Sequence, residues 1–119
     1  MMRRGASRTA LPGLLAALLL LSPVAAIAQS SVASGRALAF DQRKGNCLAC
    51  HTMKGGDVPS NVGPELSGMK ARFPDRAVLY GILWDEETRN PRTVMPPFGK
   101  DLILDKREIN AIIDFLYTL

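Results

Sequence analysis

The most distinctive stretch of this chain is Cys47-Leu48-Ala49-Cys50-His51. Two cysteines separated by two residues and followed at once by a histidine form the attachment pattern for c-type haem. In that pattern Cys47 and Cys50 form thioethers to the macrocycle, and His51 supplies the proximal nitrogen ligand of the iron. His51 is the only histidine of the 119 residues, and Cys47 and Cys50 are the only cysteines. The segment therefore predicts one covalently attached haem c.

Three other interpretations compete for the same segment. A disulfide between Cys47 and Cys50 suits an exported protein but gives no role to the adjacent His51. A structural zinc ion needs four ligands, and the three Cys/His groups here all lie within five residues. A thioredoxin-like redox pair accompanies a βαβ pattern, which this sequence lacks. Only the haem interpretation uses all three side chains and needs no further cysteine or histidine.

The N-terminal residues 1–28 have the features of a secretory signal peptide. Three arginines precede an apolar run from Leu14 to Leu21, and a small-residue stretch ends at Ala26-Ile27-Ala28. The apolar run is far shorter than the roughly 20 residues that span a bilayer. We therefore expect cleavage after residue 28, a periplasmic location, and one cytochrome domain over residues 29–119 with no membrane attachment.

The basic charge of the whole chain comes largely from this leader. Residues 1–28 hold three of the 15 Lys and Arg residues and none of the 11 Asp and Glu residues, which leaves a net charge of +1. A near-neutral domain gives no indication of a nucleic-acid partner. A domain this small often needs a covalent staple, and an attached haem would serve as one.

Periodicity and helix-end signals predict an all-α domain with long loops. The first helix, about 31–44, ends at Gly45-Asn46, which is a typical C-terminal signal. The second helix, about 74–89, has Pro74 in its first turn and stops before Pro91.

The third predicted helix, about 105–118, has the clearest pattern. Asp105 is a suitable N-cap, and Glu108 three residues later resembles a capping box. Apolar residues then recur at helical spacing. We expect this helix to cross the first one closely at the small residues Gly35 and Ala39, which are one turn apart.

The loop over residues 52–68 and one aromatic residue are expected to lie at the haem. The carbonyl oxygen of Pro64 is a candidate acceptor for the ring N–H of His51, since metal-bound histidines usually have such a partner. An ordinary turn explains Gly63-Pro64 equally well. Trp84 packs with Tyr80, one turn away, or donates its indole N–H to a haem propionate.

Met95 is the best candidate for a second iron ligand. It lies on a loop that Pro96 and Pro97 keep out of helix, far along the chain from the cysteines. Met53 is too close to His51 to reach the other face of the haem, and Met69 lies in a segment that looks helical. A lysine ligand or an open position remains formally possible. His/Met ligation raises the reduction potential and favours electron transfer over substrate chemistry, so no catalytic residue is expected on this chain.

The sequence also closely resembles the SoxX family, the small mono-haem subunits of the SoxAX cytochrome complexes of thiosulfate oxidation. The segments that carry the resemblance are Gly35-Arg36-Ala37-Leu38-Ala39-Phe40-Asp41, Gly45-Asn46-Cys47-Leu48-Ala49-Cys50-His51, residues 69–77, Asn90-Pro91, Met95-Pro96-Pro97-Phe98-Gly99 and Asp114-Phe115-Leu116-Tyr117-Thr118-Leu119. The resemblance implies a class I cytochrome c fold. It also implies that His51 and Met95 are the axial ligands and that Cys47 and Cys50 form the thioethers.

The resemblance further implies a place in a larger assembly. The chain would form a heterodimer with a SoxA-like cytochrome carrying the catalytic haem, as the electron-transfer subunit of an L-cysteine S-thiosulfotransferase. Together they would couple thiosulfate to a cysteine of the SoxYZ carrier and pass electrons to a downstream periplasmic cytochrome. Two alternatives stay open: a free-standing mono-haem electron shuttle, and the haem subunit of another periplasmic dehydrogenase.

Overall fold

The computed structural model describes residues 23–119, and within that range the chain forms four α-helices. They are α1 (Pro23–Phe40), α2 (Met69–Arg72), α3 (Arg76–Asp85) and α4 (Lys106–Leu116). Two 3₁₀ turns, Cys47–Ala49 and Glu86–Thr88, interrupt the connecting loops. Among the described residues, the loops contain one isolated parallel β-bridge, between Met53 and Leu66. The all-α prediction with long loops is confirmed.

The predicted bounds of the first helix, about 31–44, are wrong at both ends. Within the described residues, helix α1 already includes Pro23, ahead of the predicted start, and its first turns are rich in alanine, the strongest helix former. It ends at Phe40 because Asp41 starts a turn: its side chain accepts a hydrogen bond from the Arg43 N–H at 2.8 Å. Gly45 then donates to the carbonyl of Leu38 at 3.0 Å, which folds the chain back against the helix end.

The second predicted helix, about 74–89, is divided in the structure. Asp75 is the N-cap of α3 and accepts from the Ala77 N–H at 2.8 Å, so Pro74 lies before the helix rather than in its first turn. The α-helical geometry ends at Asp85, whose carboxylate caps the following 3₁₀ turn. The third predicted helix is correct within a residue or two. Asp105 and Glu108 form the reciprocal capping box that the sequence suggested.

The close crossing of the first and last helices is also confirmed. Gly35 is buried, and a Cβ built on it would overlap the carbonyl oxygen of Ala111 in α4. The apolar stripe of α4 faces this crossing and forms the centre of the core, with Ile109, Ile112 and Ile113 fully buried. The Phe40 and Phe115 rings meet edge to face at 5.8 Å.

Polar contacts attach the shorter helices to α4. Arg76 at the start of α3 donates to Asp114 at 2.7 Å and to the carbonyl of Asn110 at 2.7 Å. The Tyr117 hydroxyl donates to the carbonyl of Phe73 at 2.8 Å, between α2 and α3. The C-terminal helix is therefore the common support on which α1, α2 and α3 rest.

The signal-peptide prediction concerns mainly residues outside the described range. Its arginines, Arg3, Arg4 and Arg8, and its apolar run Leu14–Leu21 all precede Pro23. Helix α1 includes the expected cleavage point after Ala28, and cleavage there stays a prediction. None of the described helices combines the length and apolar character needed to cross a membrane.

Candidate haem-binding site

The cysteine-histidine segment is wound into a single tight turn. Asn46 adopts a left-handed conformation, with φ at 46°, which asparagine tolerates better than most residues. The N–H groups of Cys50 and His51 then both donate to the carbonyl of Cys47, at 3.2 Å and 2.9 Å. Gly45 is buried just before this turn, against the backbone of Leu38. The end of α1 thus fixes where the segment starts.

The two thiols are half-buried and free of any disulfide. Burial raises the pKa of the Cys47 thiol from 9.0 to about 11, and the neighbouring Cys50 adds to the rise. Redox-active and nucleophilic cysteines instead have a lowered pKa, because the thiolate is the reactive form. A raised pKa keeps the Cys47 thiol protonated, which is not the environment of a redox-active cysteine.

The imidazole of His51 is oriented by the loop that follows it. Its Nδ1 lies 2.7 Å from the carbonyl oxygen of Pro64, which can only accept a hydrogen bond. A neutral ring that donates from Nδ1 has its lone pair on Nε2, the form in which histidine binds a metal. The Gly63 N–H donates to the carbonyl of Cys50 at 2.7 Å and brings this loop against the ring.

Gly63 is a site residue whose role the sequence did not reveal. A Cβ placed there would overlap the His51 ring, with Nδ1 only 2.7 Å away. The glycine is needed for close approach, not for an unusual backbone angle. In the sequence, a glycine before a proline indicates only a turn. Its close approach to the histidine ring becomes visible only in the folded structure.

A second contact that sequence reasoning missed closes the first half of the same loop. The Thr52 hydroxyl donates to the carbonyl of Ser60 at 2.9 Å and accepts from the Ser60 N–H at 2.8 Å. The Ser60 hydroxyl donates to the carbonyl of Ala49 at 3.2 Å, and the Leu66 N–H donates to the carbonyl of Thr52 at 2.9 Å. The loop is thereby folded back onto the cysteine-histidine turn. Nothing in the residue types marks a Thr–Ser pair eight positions apart.

The methionines of the described chain differ in accessibility. Met53 and Met69 are 4% and 2% exposed and belong to the core. Met95 is half-buried and packs against the edge of that core, as does Cys47. Its N–H donates to the Thr93 hydroxyl at 3.1 Å, which shapes the loop before the two prolines. Met95 is therefore the least buried methionine of the described range.

Trp84 has the packing role that was one of its two predicted roles. Its ring stacks on Tyr80 with centroids 6.0 Å apart and planes 16° apart. The backbone of Gly99 lies against the six-membered ring of the Trp84 indole, and a Cβ on Gly99 would overlap that ring. The carbonyl of Trp84 accepts from the N–H groups of Gly99 and Lys100, both at 3.2 Å. Donation from its indole to a haem propionate stays a prediction.

The chemistry of these donors fits haem c. The chain supplies one imidazole whose Nδ1 contacts the Pro64 carbonyl, one half-buried methionine at position 95, and two thiols for attachment. Gly63 provides the space that the imidazole needs against the loop. Within residues 23–119, no three His, Cys, Asp or Glu side chains are grouped so as to hold a metal ion, so the zinc interpretation has no ligand set there.

A comparison with protein families identifies the domain. The family model described as "Cytochrome c" matches residues 32–119, which is most of the chain and all of the site. The chain belongs to the cytochrome c family. This cytochrome c domain has electron transfer as its family function, and the pair Cys47 and Cys50 is consistent with covalently bound haem c.

One curated relative is a longer protein. An "uncharacterized lipoprotein" of Aquifex aeolicus (strain VF5) is 32% identical over 79 residues, which is 63% of this chain. The match covers 37% of that relative, so the cytochrome c chain corresponds to little more than a third of it.

Proposed function

We propose that this cytochrome c is the SoxX-like electron-transfer subunit of a SoxAX complex that oxidises thiosulfate. The observation that carries the electron-transfer part is the His51 ring, which the Pro64 carbonyl holds with Nε2 free for iron. The assignment to thiosulfate oxidation rests on the sequence resemblance, above all on Met95-Pro96-Pro97-Phe98-Gly99 and on the C-terminal segment. Both segments have fixed places in the fold, since Phe98 and Leu116 are buried.

In this proposal Cys47 and Cys50 would attach one haem c, and His51 and Met95 would bind its iron. The bound haem supplies an iron that gains and loses one electron between its ferrous and ferric forms. The carbonyl of Pro64 would accept the hydrogen bond from Nδ1 of His51, which leaves Nε2 as the nitrogen that would bind the iron. Such a hydrogen bond also makes the imidazole a stronger donor. Met95, as the second iron ligand, would leave no position for a substrate.

The absence of a spare thiol within the chain assigns the covalent chemistry to a partner. Both cysteines are used for attachment, so this chain has none left to bind the sulfur substrate. A SoxA-like cytochrome would carry the catalytic haem and couple thiosulfate to the SoxYZ cysteine. Each coupling releases two electrons, which this subunit would pass on singly to a downstream periplasmic cytochrome.

The proposed location is outside the cytoplasm. The predicted signal peptide, the cytochrome c family and the lipoprotein relative all favour it. The C-x-x-C pair would meet an oxidising compartment there, and haem attachment would protect both thiols from disulfide formation.

The axial ligand is tested by replacing Met95 with alanine. The oxidised wild-type holoprotein should show a methionine-to-iron charge-transfer band, and Met95→Ala should lack it. Met69→Leu is the matched control, because it removes a buried sulfur at nearly constant volume and should keep the band. A band that survives in Met95→Ala contradicts this ligand assignment.

The partner is tested by co-expression with a SoxA-like cytochrome. We expect a stable heterodimer in which thiosulfate and SoxYZ reduce the haem of this chain. Omission of either thiosulfate or SoxYZ should leave that haem oxidised. A chain that stays monomeric, and is reduced only by other electron donors, would support the free-standing shuttle instead.

A further inference from the structure

The loop that carries Met95 leaves and rejoins the fold at one place, the C-terminal end of α3. At its first end, the N–H groups of Arg89 and Asn90 donate to the carbonyl of Glu86, at 3.0 Å and 2.8 Å. At its other end, the N–H groups of Gly99 and Lys100 donate to the carbonyl of Trp84. Residues 89–98 therefore form a closed loop whose two ends attach to one turn of the chain.

A charged contact joins the same two ends. The Lys100 Nζ lies 3.2 Å from Oδ2 of Asp85 and 3.0 Å from Oε2 of Glu87. Asp85 is only 8% exposed, and its Oδ1 accepts from the Glu87 N–H at 3.1 Å. A carboxylate this deeply buried is costly unless a cation compensates it. Lys100, which is half-exposed, is the cation that the described structure pairs with Asp85.

Hydrogen bonds within the loop are local. The Thr93 N–H donates to the carbonyl of Asn90 at 2.9 Å, and the Arg92 N–H donates to the Asn90 side chain at 3.2 Å. The Met95 N–H likewise donates to a side chain of the same loop, the Thr93 hydroxyl. These hydrogen bonds give the loop its local shape. Met95 packs against the edge of the core and Phe98 is buried in it, so the loop is held both by this packing and by its ends near α3.

We propose that Lys100 and Asp85 form a latch that holds the Met95 loop closed and so governs how often the Met95 sulfur leaves the haem iron. The inference rests on the proposed function, because it takes Met95 as the axial ligand. Both latch residues are positioning residues, since they act on Met95 through the loop ends and Lys100 is five residues away from it. Hydrogen bonds to Glu87 and Asp85 also raise the pKa of Lys100, which keeps it charged.

The experiment uses imidazole as a probe of the open loop in the oxidised holoprotein. Imidazole binds ferric haem iron only when the native ligand has left, so its apparent affinity reports the fraction of open loop. Lys100→Met should bind imidazole at least about fivefold more tightly than the wild type, because breaking a pair to a buried charge favours opening. Lys100→Arg should restore an affinity close to wild type. Lys54→Met is the control for loss of a positive charge, since Lys54 is exposed and far from Asp85 in sequence.

Two further measurements test whether the pair itself is responsible. Raising the salt concentration should increase imidazole affinity in the wild type but not in Lys100→Met, because salt screens the ion pair. The double variant Asp85→Asn, Lys100→Met should show less than the summed effect of its two single changes. Unchanged imidazole affinity in Lys100→Met, with the methionine band present in the wild type, overturns the latch alone. Absence of that band from the wild type overturns the Met95 assignment together with the latch.

Discussion

The backbone of Gly35 lies directly against the carbonyl group of Ala111, with no space between them for a side-chain carbon. One turn later Ala39 is fully buried in the same crossing. Two small residues on α1 therefore let it approach α4 at backbone distance. Since the cysteine-histidine turn begins a few residues after α1 ends, this crossing also sets the position of the haem site relative to the core.

Gly35→Ala should destabilise the protein. The added methyl must push α1 away from α4, and overpacking of this kind costs about 1–3 kcal/mol in the free energy of unfolding. Gly81→Ala is the matched control, because Gly81 also lies within a helix but has nothing within 4 Å of its Cβ position. That change should stabilise by about 0.4–1 kcal/mol, as alanine restricts the unfolded chain and favours helix. Urea unfolding of the holoproteins measures both, and equal effects of the two variants would contradict the close crossing.

Gly63→Ala should change both the reduction potential of the holoprotein and its stability, because Gly63 lies against the His51 ring. Its methyl group would press on the His51 ring and weaken the hydrogen bond from Nδ1 to the Pro64 carbonyl. A weaker hydrogen bond makes the imidazole a poorer donor, which stabilises ferric iron less, so the reduction potential should rise. The overpacking should also lower the free energy of unfolding by about 1–3 kcal/mol. Redox titration of the holoprotein checks the first effect, with Gly81→Ala again as the control. An unchanged or lower potential would speak against the role of Gly63.

Local signals of the sequence predicted much of the fold. The capping box at Asp105 and Glu108 depends on residues three apart, and the structure has it as expected. The small pair Gly35 and Ala39 correctly indicated a close helix crossing. Each of these features depends on residue types within one or two helical turns, which is the range over which sequence patterns are informative. The predicted start of α1 was wrong because the alanine-rich residues before position 31 also favour helix.

Contacts between distant segments could not be predicted in this way. The Thr52–Ser60 pair and the fit of Gly63 against His51 depend on how a long loop folds back. The residues from Asp85 to Arg89 are all polar or charged, yet Asp85 is buried beside Lys100. Burial of a charge is decided by the partner that the fold brings to it, and residue types alone do not specify that partner.

Tyr117→Phe should destabilise the contact between α4 and the chain before α3. The Tyr117 hydroxyl donates to the carbonyl of Phe73, and its loss should cost about 0.5–1.5 kcal/mol in the free energy of unfolding. The Tyr117 ring should still pack under Lys70, whose Nζ lies 4.3 Å from its centroid. Tyr80→Phe is the control, because Tyr80 contributes a stacked ring and no hydroxyl hydrogen bond among the described residues. Thermal unfolding should separate the two variants, and a stability loss for Tyr80→Phe as large as that for Tyr117→Phe would contradict this account.

Two carboxylates at the start of α4, Asp105 and Glu108, should make the free energy of unfolding depend on pH in the acidic range. The side-chain hydrogen bond from Lys44 lowers the pKa of Glu108 below its ordinary value of 4.5. The Glu108 backbone N–H likewise lowers the pKa of Asp105 below 3.8. Folding therefore favours the charged carboxylates, so their stabilisation is complete above the ordinary values and is lost as the pH falls through the lower folded-state values.

Lys44→Met tests this acid dependence. Without the Lys44 ammonium, which lies 2.8 Å from Oε1, the pKa of Glu108 should return toward its ordinary value. The variant should be less stable than the wild type at neutral pH, and the difference should shrink as the pH falls from the ordinary pKa of 4.5 through the lower folded-state pKa of Glu108. Lys54→Met, which removes an exposed charge from another loop, should keep the acid dependence of the wild type. Urea unfolding between neutral pH and pH 3 measures the difference. A constant gap between Lys44→Met and the wild type across that range would show that Lys44 stabilises α4 by packing and not through Glu108.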